Sequence, residues 1–321
     1  MNKLKIAIIA GGDSTEREIS EKGALNIFNE LDRNRYEPYI VDISSKRWYV
    51  KEADTEINKN NFSTIINNEE IKFDYALINI HGTPGENGIL QSYFELVNVP
   101  YSTCGVTASA VTFDKALTKR ALSSNNIKMA KDIVIVCGED VDCDQIVSEL
   151  GLPIFVKPCA AGSSFGVTMV KTKEELIPAI EKAYVESERV ILEEKITGTE
   201  ISCGVMILNG EETVFPCTEI ISETEYFDYE AKYKGLSKEI TPARISEKAK
   251  LRLDVILVDI YKTLCLRGLV RIDFIVKDEE PYLIEVNTVP GMSAQSLIPQ
   301  QAKAMGMTQT ELFTKIIENT K

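Results

Sequence analysis

The stretch GLVRIDFIVKDEEPYLIEVNTVPGMSAQSL, Gly268 to Leu297, reads as two strands and a loop. Leu269, Ile272, Phe274, Ile275 and Val276 are strand formers, and Tyr282, Leu283, Ile284 and Val286 make a returning strand. Lys277-Asp278-Glu279-Glu280 is the charged turn between them. Arg271 and Asp273 are two residues apart, as are Glu285 and Asn287, so each pair shares one face of its strand. An in-register hairpin therefore gathers two carboxylates, an amide oxygen and a guanidinium on one face. Oxygen donors without sulfur or imidazole suit a hard cation such as Mg²⁺, which commonly shares its shell with phosphate. The loop at Pro290-Gly291-Met292-Ser293 is able to aim backbone N–H groups at an anion. A plain salt-bridged hairpin, with Arg271 neutralising Asp273, accounts for the same residues.

The whole chain sets bounds on that site. Its 321 residues are 44% hydrophobic and 26% charged, an ordinary globular composition long enough for two or three domains. A net charge of −13 disfavours nucleic acid or an anionic membrane surface as partner. No apolar run reaches membrane-spanning length, and Met-Asn-Lys leads straight into a short strand, so a cytoplasmic protein is expected. The seven cysteines are scattered, form no C-x-x-C and read as reduced thiols, mostly core filler. A single histidine excludes His-rich zinc chemistry.

From the N-terminus, Leu4 to Ala10 reads as a buried parallel strand closed by Gly11-Gly12. A helix is expected from about Glu16 to Leu31, with Glu16, Arg17 and Glu18 in its first turn. Acids there complement the helix dipole, or face a ligand ammonium. Strands follow at Pro38–Ile43 and Trp48–Lys51, and residues 52–70 read as an exposed polar excursion. Phe73 to Ile80 is a strong strand ending in the turn His81-Gly82-Thr83-Pro84-Gly85-Glu86-Asn87-Gly88, which leads to a helix over Ile89–Val97. The only histidine therefore sits at the C-terminal end of a strand, where ligands bind in open α/β sheets. One helix is expected over Val106–Ser123. Strand Leu152–Pro158 carries Lys157, and Cys159 to Gly166 forms a small-residue loop before a second strand, with no Walker A spelling. Val190–Ile196 is a strand, Glu200–Leu208 and Thr213–Ile221 pair over Asn209-Gly210, and helices cover Ser246–Leu266 and Thr308–Glu318.

The spelling of the opening stretch, Arg-Ile-Asp-Phe then Glu-Val-Asn-Thr-Val-Pro-Gly-Met, resembles the metal-binding end of the ATP-grasp ligases and, within them, the D-alanine–D-alanine ligases. Gly11-Gly12-Asp13-Ser14-Thr15-Glu16, the His81 turn, the small-residue loop and Tyr229-Glu230-Ala231-Lys232-Tyr233 resemble further signatures of that family, in family order. The family more often shows Glu-Asp-Gly where this chain has Glu86-Asn87-Gly88, and a more polar tract than Cys159-Ala160-Ala161.

The resemblance implies a three-part α/β and α+β ATP-grasp fold. An N-terminal α/β domain would cover 1–103, a central lid 104–193, and a C-terminal domain with metal site and ω-loop 194–321. It implies ATP-driven joining of two D-alanines for peptidoglycan. Two Mg²⁺ ions, with Mn²⁺ as a substitute, would lie on Asp273, Glu285 and Asn287. Lys115, Lys157, Lys232, Ser163 and Ser164 would hold the ATP phosphates. Lys195 and Ile196 would meet adenine, Glu193 and Glu194 would belong to the same ATP site, and Glu200 would meet the ribose. Glu16 and His81 would seat the first D-alanine, and Ser296 the carboxylate of the second. Arg271 and the Gly291 N–H would stabilise the oxyanion, while Tyr233, Ser163 and Glu16 would form a hydrogen-bond set. The family is usually homodimeric. Two alternatives stand beside this reading: a relative taking D-serine or D-lactate second, and a nucleotide-binding sensor without catalysis.

Overall fold

In the computed structural model, residues 3–162, 165–222 and 237–321 are described. The N-terminal part begins with β1 (Leu4–Gly11), α1 (Arg17–Glu30), β2 (Tyr36–Ile43), β3 (Trp48–Val50) and β4 (Thr55–Glu56). It continues with the hairpin β5 (Ser63–Ile66) and β6 (Glu69–Lys72), then β7 (Tyr75–Ile78) and α2 (Ile89–Leu96). The sheet order is β4-β3-β2-β1-β7, with β1 parallel to both β2 and β7. Chain order reverses between β1 and β7, so their carboxyl ends open a crevice there. Gly11 and Gly12 turn the chain away from β1 at φ +104° and +84°, a region that side chains rarely adopt. A Cβ on Gly11 would also meet the Ile43 carbonyl at 2.7 Å.

Residues 52–70 are not simply an exposed excursion. Most of their polar residues face outward, but Ile57, Phe62, Ser63 and Thr64 are buried, and Phe62 stacks edge-on to Phe94. The apolar residues of this polar segment are too scattered to show a period, yet Ile57 and Phe62 suffice to anchor a small hairpin. The single helix expected over Val106–Ser123 is two helices, α3 (Val106–Phe113) and α4 (Lys115–Ala121). Asp114 breaks it: its backbone is extended, and its side chain caps α4 by accepting from the Leu117 N–H at 2.9 Å.

Next come β8 (Lys128–Met129), β9 (Asp132–Val136), α5 (Cys143–Leu150), β10 (Ile154–Pro158), β11 (Thr168–Val170), α6 (Leu176–Tyr184) and β12 (Arg189–Glu194). The antiparallel sheet β11-β10-β12-β9 packs on α5 and α6 through Ile146, Leu150, Val156, Ile180 and Leu192. By contrast, β8 leaves this sheet and pairs with the C-terminal one.

The C-terminal part holds β13 (Thr199–Leu208), β14 (Glu211–Val214), β15 (Thr218–Ser222), β16 (Ser237–Ile240), α7 (Glu247–Thr263), β17 (Val270–Lys277), β18 (Glu280–Asn287), α8 (Leu297–Ala304) and α9 (Gln309–Thr320). Its sheet runs β16-β15-β13-β17-β18-β8, with β14 beside β13. Asn209 and Gly210 turn β13 into β14 with both φ positive, the geometry a two-residue hairpin demands. One core joins the two ends of the chain: Ile6, Ile8 and Ile27 pack with Phe313, Ile316 and Ile317. Among the described residues no helix is long and apolar enough to cross a membrane. All seven cysteines are free, four of them buried.

Candidate active site

The β17–β18 hairpin pairs as its spacing predicts: Arg271 lies opposite Asn287, and Asp273 opposite Glu285. A bulge follows Asp273, since Phe274 faces Leu283 and leaves Ile284 as the extra residue. In a regular strand Glu285 and Leu283 would share a face. The inserted Ile284 lets Leu283 enter the core beside Phe274 while Glu285 stays in the cavity wall. The sequence did not announce this irregularity, and the site depends on it.

That face lines a cavity of about 760 Å³ between the two large sheets and the four-stranded one. Successive rows of the sheet supply its wall. Gly204, Arg271 and Asn287 lie in one row; Ser202, Asp273 and Glu285 in the next; Glu200 and Ile275 in a third that continues through Ile220 to Glu239. Asp273 is buried and accepts from Ser202 Oγ at 2.6 Å. Arg271 donates to it in a fork, Nε to Oδ1 at 3.0 Å and Nη2 to Oδ2 at 2.8 Å, and approaches Glu285 at 3.6 Å. The ion pair and the cavity face, which the sequence offers as alternatives, therefore coexist. Among the described residues no three His, Cys, Asp or Glu side chains gather as a metal site. The candidate set is two carboxylates and one amide, an all-oxygen donor set with the chemistry a hard divalent cation requires.

Between β10, β12 and α4, Lys157 Nζ and Lys119 Nζ each lie 2.7 Å from Glu193. Burial alone would raise Glu193, but the two ammonium groups hold it at about 2. Lys157 is thus tied to Glu193 here. Lys119 also meets Asp132 at 2.8 Å and the Ala130 carbonyl. The sequence reading passed over Lys119, although its i, i+4 spacing from Lys115 on α4 was the available signal. Lys115 Nζ donates to the Ala161 carbonyl at 3.1 Å, and its backbone N–H to Cys159 O at 2.9 Å. The apolar tract Cys159-Ala160-Ala161 serves through its backbone. Glu194, Ile196 and Glu200 line the cavity. Lys195 does not; its N–H is spent on Pro153 O at 3.3 Å.

At the other end lie Glu16 and His81, both buried, with Gly291 and Ser296 nearby in the wall. Glu16 N-caps α1. Burial pushes the His81 imidazole down, against an opposing pull from Glu16, and among the described residues its Nε2 has no hydrogen-bond partner. Ser296 precedes α8 and accepts from the Ser293 N–H at 3.1 Å. A Cβ on Gly291 would meet Ser296 Oγ at 2.9 Å, so glycine keeps that corner open. Glu86 and Glu239 also line the cavity and were missed. Glu86 shares the His81 turn. Burial raises Glu239, partly offset by its bond from Gln300; its place beside the sheet had no signal in the sequence. Ser163, Ser164, Lys232 and Tyr233 lie outside the described residues.

A small antiparallel sheet with a glycine loop, closing a cavity against a larger sheet that carries paired carboxylates, defines the ATP-grasp ligases. Residues 5–104 match the family model for the D-ala D-ala ligase N-terminus, and residues 126–318 that for the D-ala D-ala ligase C-terminus. The chain is 47% identical over 321 residues to the D-alanine–D-alanine ligase of Phocaeicola vulgatus, covering 99% of each. Among solved structures, it superposes on the VanG D-Ala:D-Ser ligase of Enterococcus faecalis with TM-score 0.87 at 32% identity, covering 99% of both chains. It matches D-alanyl-alanine synthetase A of Vibrio cholerae with TM-score 0.90 at 29% identity, covering 100% of this chain and 99% of that one. The chain belongs to the D-alanine–D-alanine ligase family.

Proposed function

We propose that the cavity joins two D-alanine molecules at the expense of ATP, supplying a dipeptide for peptidoglycan. The observation that carries this reading is the hairpin register that stacks Arg271, Asp273, Glu285 and Asn287 in the wall of a cavity that also holds Glu16 and His81.

A carboxylate is a poor electrophile at neutral pH. Transfer of the γ-phosphoryl group to the first D-alanine gives an acyl phosphate and ADP. The amine of the second then attacks the carbonyl, loses a proton, and phosphate departs. Asp273, Glu285 and Asn287 would hold Mg²⁺, two ions in our reading, with Mn²⁺ as substitute. Bound there, the metal supplies charge neutralisation for the transferring phosphoryl. Lys115, Lys157 and Lys232 surround the phosphates, with Ser163 and Ser164 in the covering loop; Lys157 exchanges part of its contact with Glu193 for phosphate. Lys195 and Ile196 frame adenine through their backbone, Glu193 and Glu194 belong to the same ATP site, and Glu200 takes the ribose. Glu16 and His81 orient the first D-alanine, and Ser296 receives the carboxylate of the second. Arg271 and the Gly291 N–H face the oxyanion. Tyr233, which lies outside the described residues, would favour an amine over a hydroxyl as second substrate. Closure excludes water, which would otherwise hydrolyse the acyl phosphate.

The three-part division at 103 and 193 belongs to this proposal, with α3, α4 and β8 resting on the C-terminal core. So do a cytoplasmic location, where ATP is available, and a homodimer, which sedimentation would measure. The test of function is release of ADP and phosphate from ATP, with D-serine and D-lactate offered in competition. Release dependent on both D-alanine and Mg²⁺, with D-alanyl-D-alanine as main product, is expected. ATP turnover that ignores D-alanine and yields no dipeptide would overturn the reading.

A further inference from the structure

Helix α8 meets the C-terminal sheet through two adjacent glutamines with different partners. Gln301 is fully buried. Its Nε2 donates to the Ser202 carbonyl at 2.9 Å and to Thr218 Oγ1 at 3.0 Å, and its Oε1 accepts from the Gly204 N–H at 2.9 Å. Those bonds span β13 and β15, while Ile298 and Ala302 of the same helix share a core with Met206 and Phe215. The body of α8 is thus held on the sheet without help from residue 300.

Gln300 is partly buried and reaches elsewhere. Its amide has two hydrogens to give, and the structure spends both: Nε2 donates to Glu239 Oε2 at 2.8 Å and to the Gln295 carbonyl at 2.6 Å. Glu239 stands on β16 opposite Ile220, and both line the cavity. Gln295 comes immediately before Ser296, the N-cap of α8, and these two also line the cavity. The loop is closed by the Ser296 N–H on the Ser293 carbonyl at 2.9 Å and by the Ser293 and Ser296 hydroxyls at 2.8 Å. A carboxyl oxygen on β16 therefore reaches, through one amide, the peptide that leads into Ser296.

We propose that Glu239 is a positioning residue for the second substrate: through the Gln300 amide it sets the Gln295–Ser296 peptide, and with it the hydroxyl that receives the second carboxylate. This rests on the function proposed above and deepens it by naming what holds that corner in place. The Glu239 bond fixes the plane of the Gln300 amide, so that its other N–H stays on the Gln295 carbonyl. Without an acceptor at 239 the amide turns, and the loop loses its tie to the sheet. The requirement is for an acceptor oxygen rather than for charge, since a glutamine at 239 offers its Oε1 to the same N–H.

The test is steady-state kinetics of the full chain with ATP and Mg²⁺ over a wide range of D-alanine, which resolves a KM for each D-alanine. Glu239→Ala and Gln300→Leu should each raise the second KM about tenfold and leave the KM for ATP and for the first D-alanine within about twofold of wild type. The double variant should be no worse than either single one, because both break the same bridge. Glu239→Gln should keep the second KM near the wild-type value. Gln301→Leu supplies the contrast: it strands the buried Gly204 N–H and should lower the melting temperature, whereas Glu239→Ala and Gln300→Leu should melt close to wild type. An unchanged second KM in folded Glu239→Ala and Gln300→Leu, or an equal rise in every KM, would overturn the proposal while leaving the ligase reading intact. Absence of D-alanine-dependent ADP release from the wild type would overturn both.

Discussion

Glu193 and Glu86 carry the same side chain to nearly the same depth in the walls of one cavity, 11% and 12% exposed. They are displaced in opposite directions. Burial opposes ionisation at both sites. Glu193 meets two lysine ammonium groups and falls to about 2. Glu86 meets chiefly other carboxylates and rises to about 8. Depth sets the desolvation cost; neighbours decide the sign. At one site Lys157 and Lys119 are held on an ionised acid; at the other Glu86 lies among carboxylates, opposed by the Gly82 N–H and Arg271.

The sharpest way to break this comparison is to make one chemical change at both sites. At neutral pH, Glu193→Gln leaves Lys157 and Lys119 buried with their shared countercharge removed, and should cost about 3–5 kcal/mol of stability. Glu86→Gln replaces a neutral acid by a neutral amide and should cost little. The pH windows follow from the signs. Glu193 has a depressed value, so its contribution is present above the ordinary 4.5 and is lost as pH falls toward about 2. Glu86 has a raised value, so its contribution is complete below 4.5 and is lost as pH rises through about 8. Glu86→Gln should therefore melt above wild type at alkaline pH and level with it near pH 4.5. Thermal denaturation across pH measures both. Equal losses from the two substitutions at neutral pH would refute the contrast.

Arg271 reaches both halves of the comparison, since its charge acts on His81 and Glu86 while its fork grips Asp273. Lysine would keep the charge and lose the fork. Arg271→Lys should bind ATP with near-normal affinity, melt within a few degrees of wild type and lose on the order of 10²–10³ in turnover. Steady-state rates with a nucleotide-binding measurement decide it. Full activity, or a fall in melting temperature large enough to explain the loss, would reduce Arg271 to a structural ion pair.

Much of this architecture was legible in the chain because local spacing encodes it. Two-residue spacing put Arg271 with Asp273 and Glu285 with Asn287, and the structure stacks them. Asn209-Gly210 announced its turn, and the apolar run at Leu4–Ala10 its buried parallel strand. Other features depend on partners distant in sequence. Nothing near Glu86 or Glu193 tells which is surrounded by acids and which by lysines. The bulge at Ile284 becomes visible only when Phe274 is seen to face Leu283. Asp114 could be read either as an ordinary helical residue or as a cap, and its capping bond settles that choice. Phe62 looked exposed because its segment is polar, although one aromatic ring is enough to bury the middle of it.

The central claim is that the stacked row of oxygen donors on β17 and β18 is where ATP chemistry happens. Glu285→Gln tests it most directly, because the amide keeps size and shape but removes one of the row's two negative charges. ADP release from ATP in the presence of D-alanine and Mg²⁺ should be measured beside circular dichroism of the same sample. The account predicts a folded protein with turnover lowered by about 10³ or more. Wild-type rates from the folded variant would contradict it.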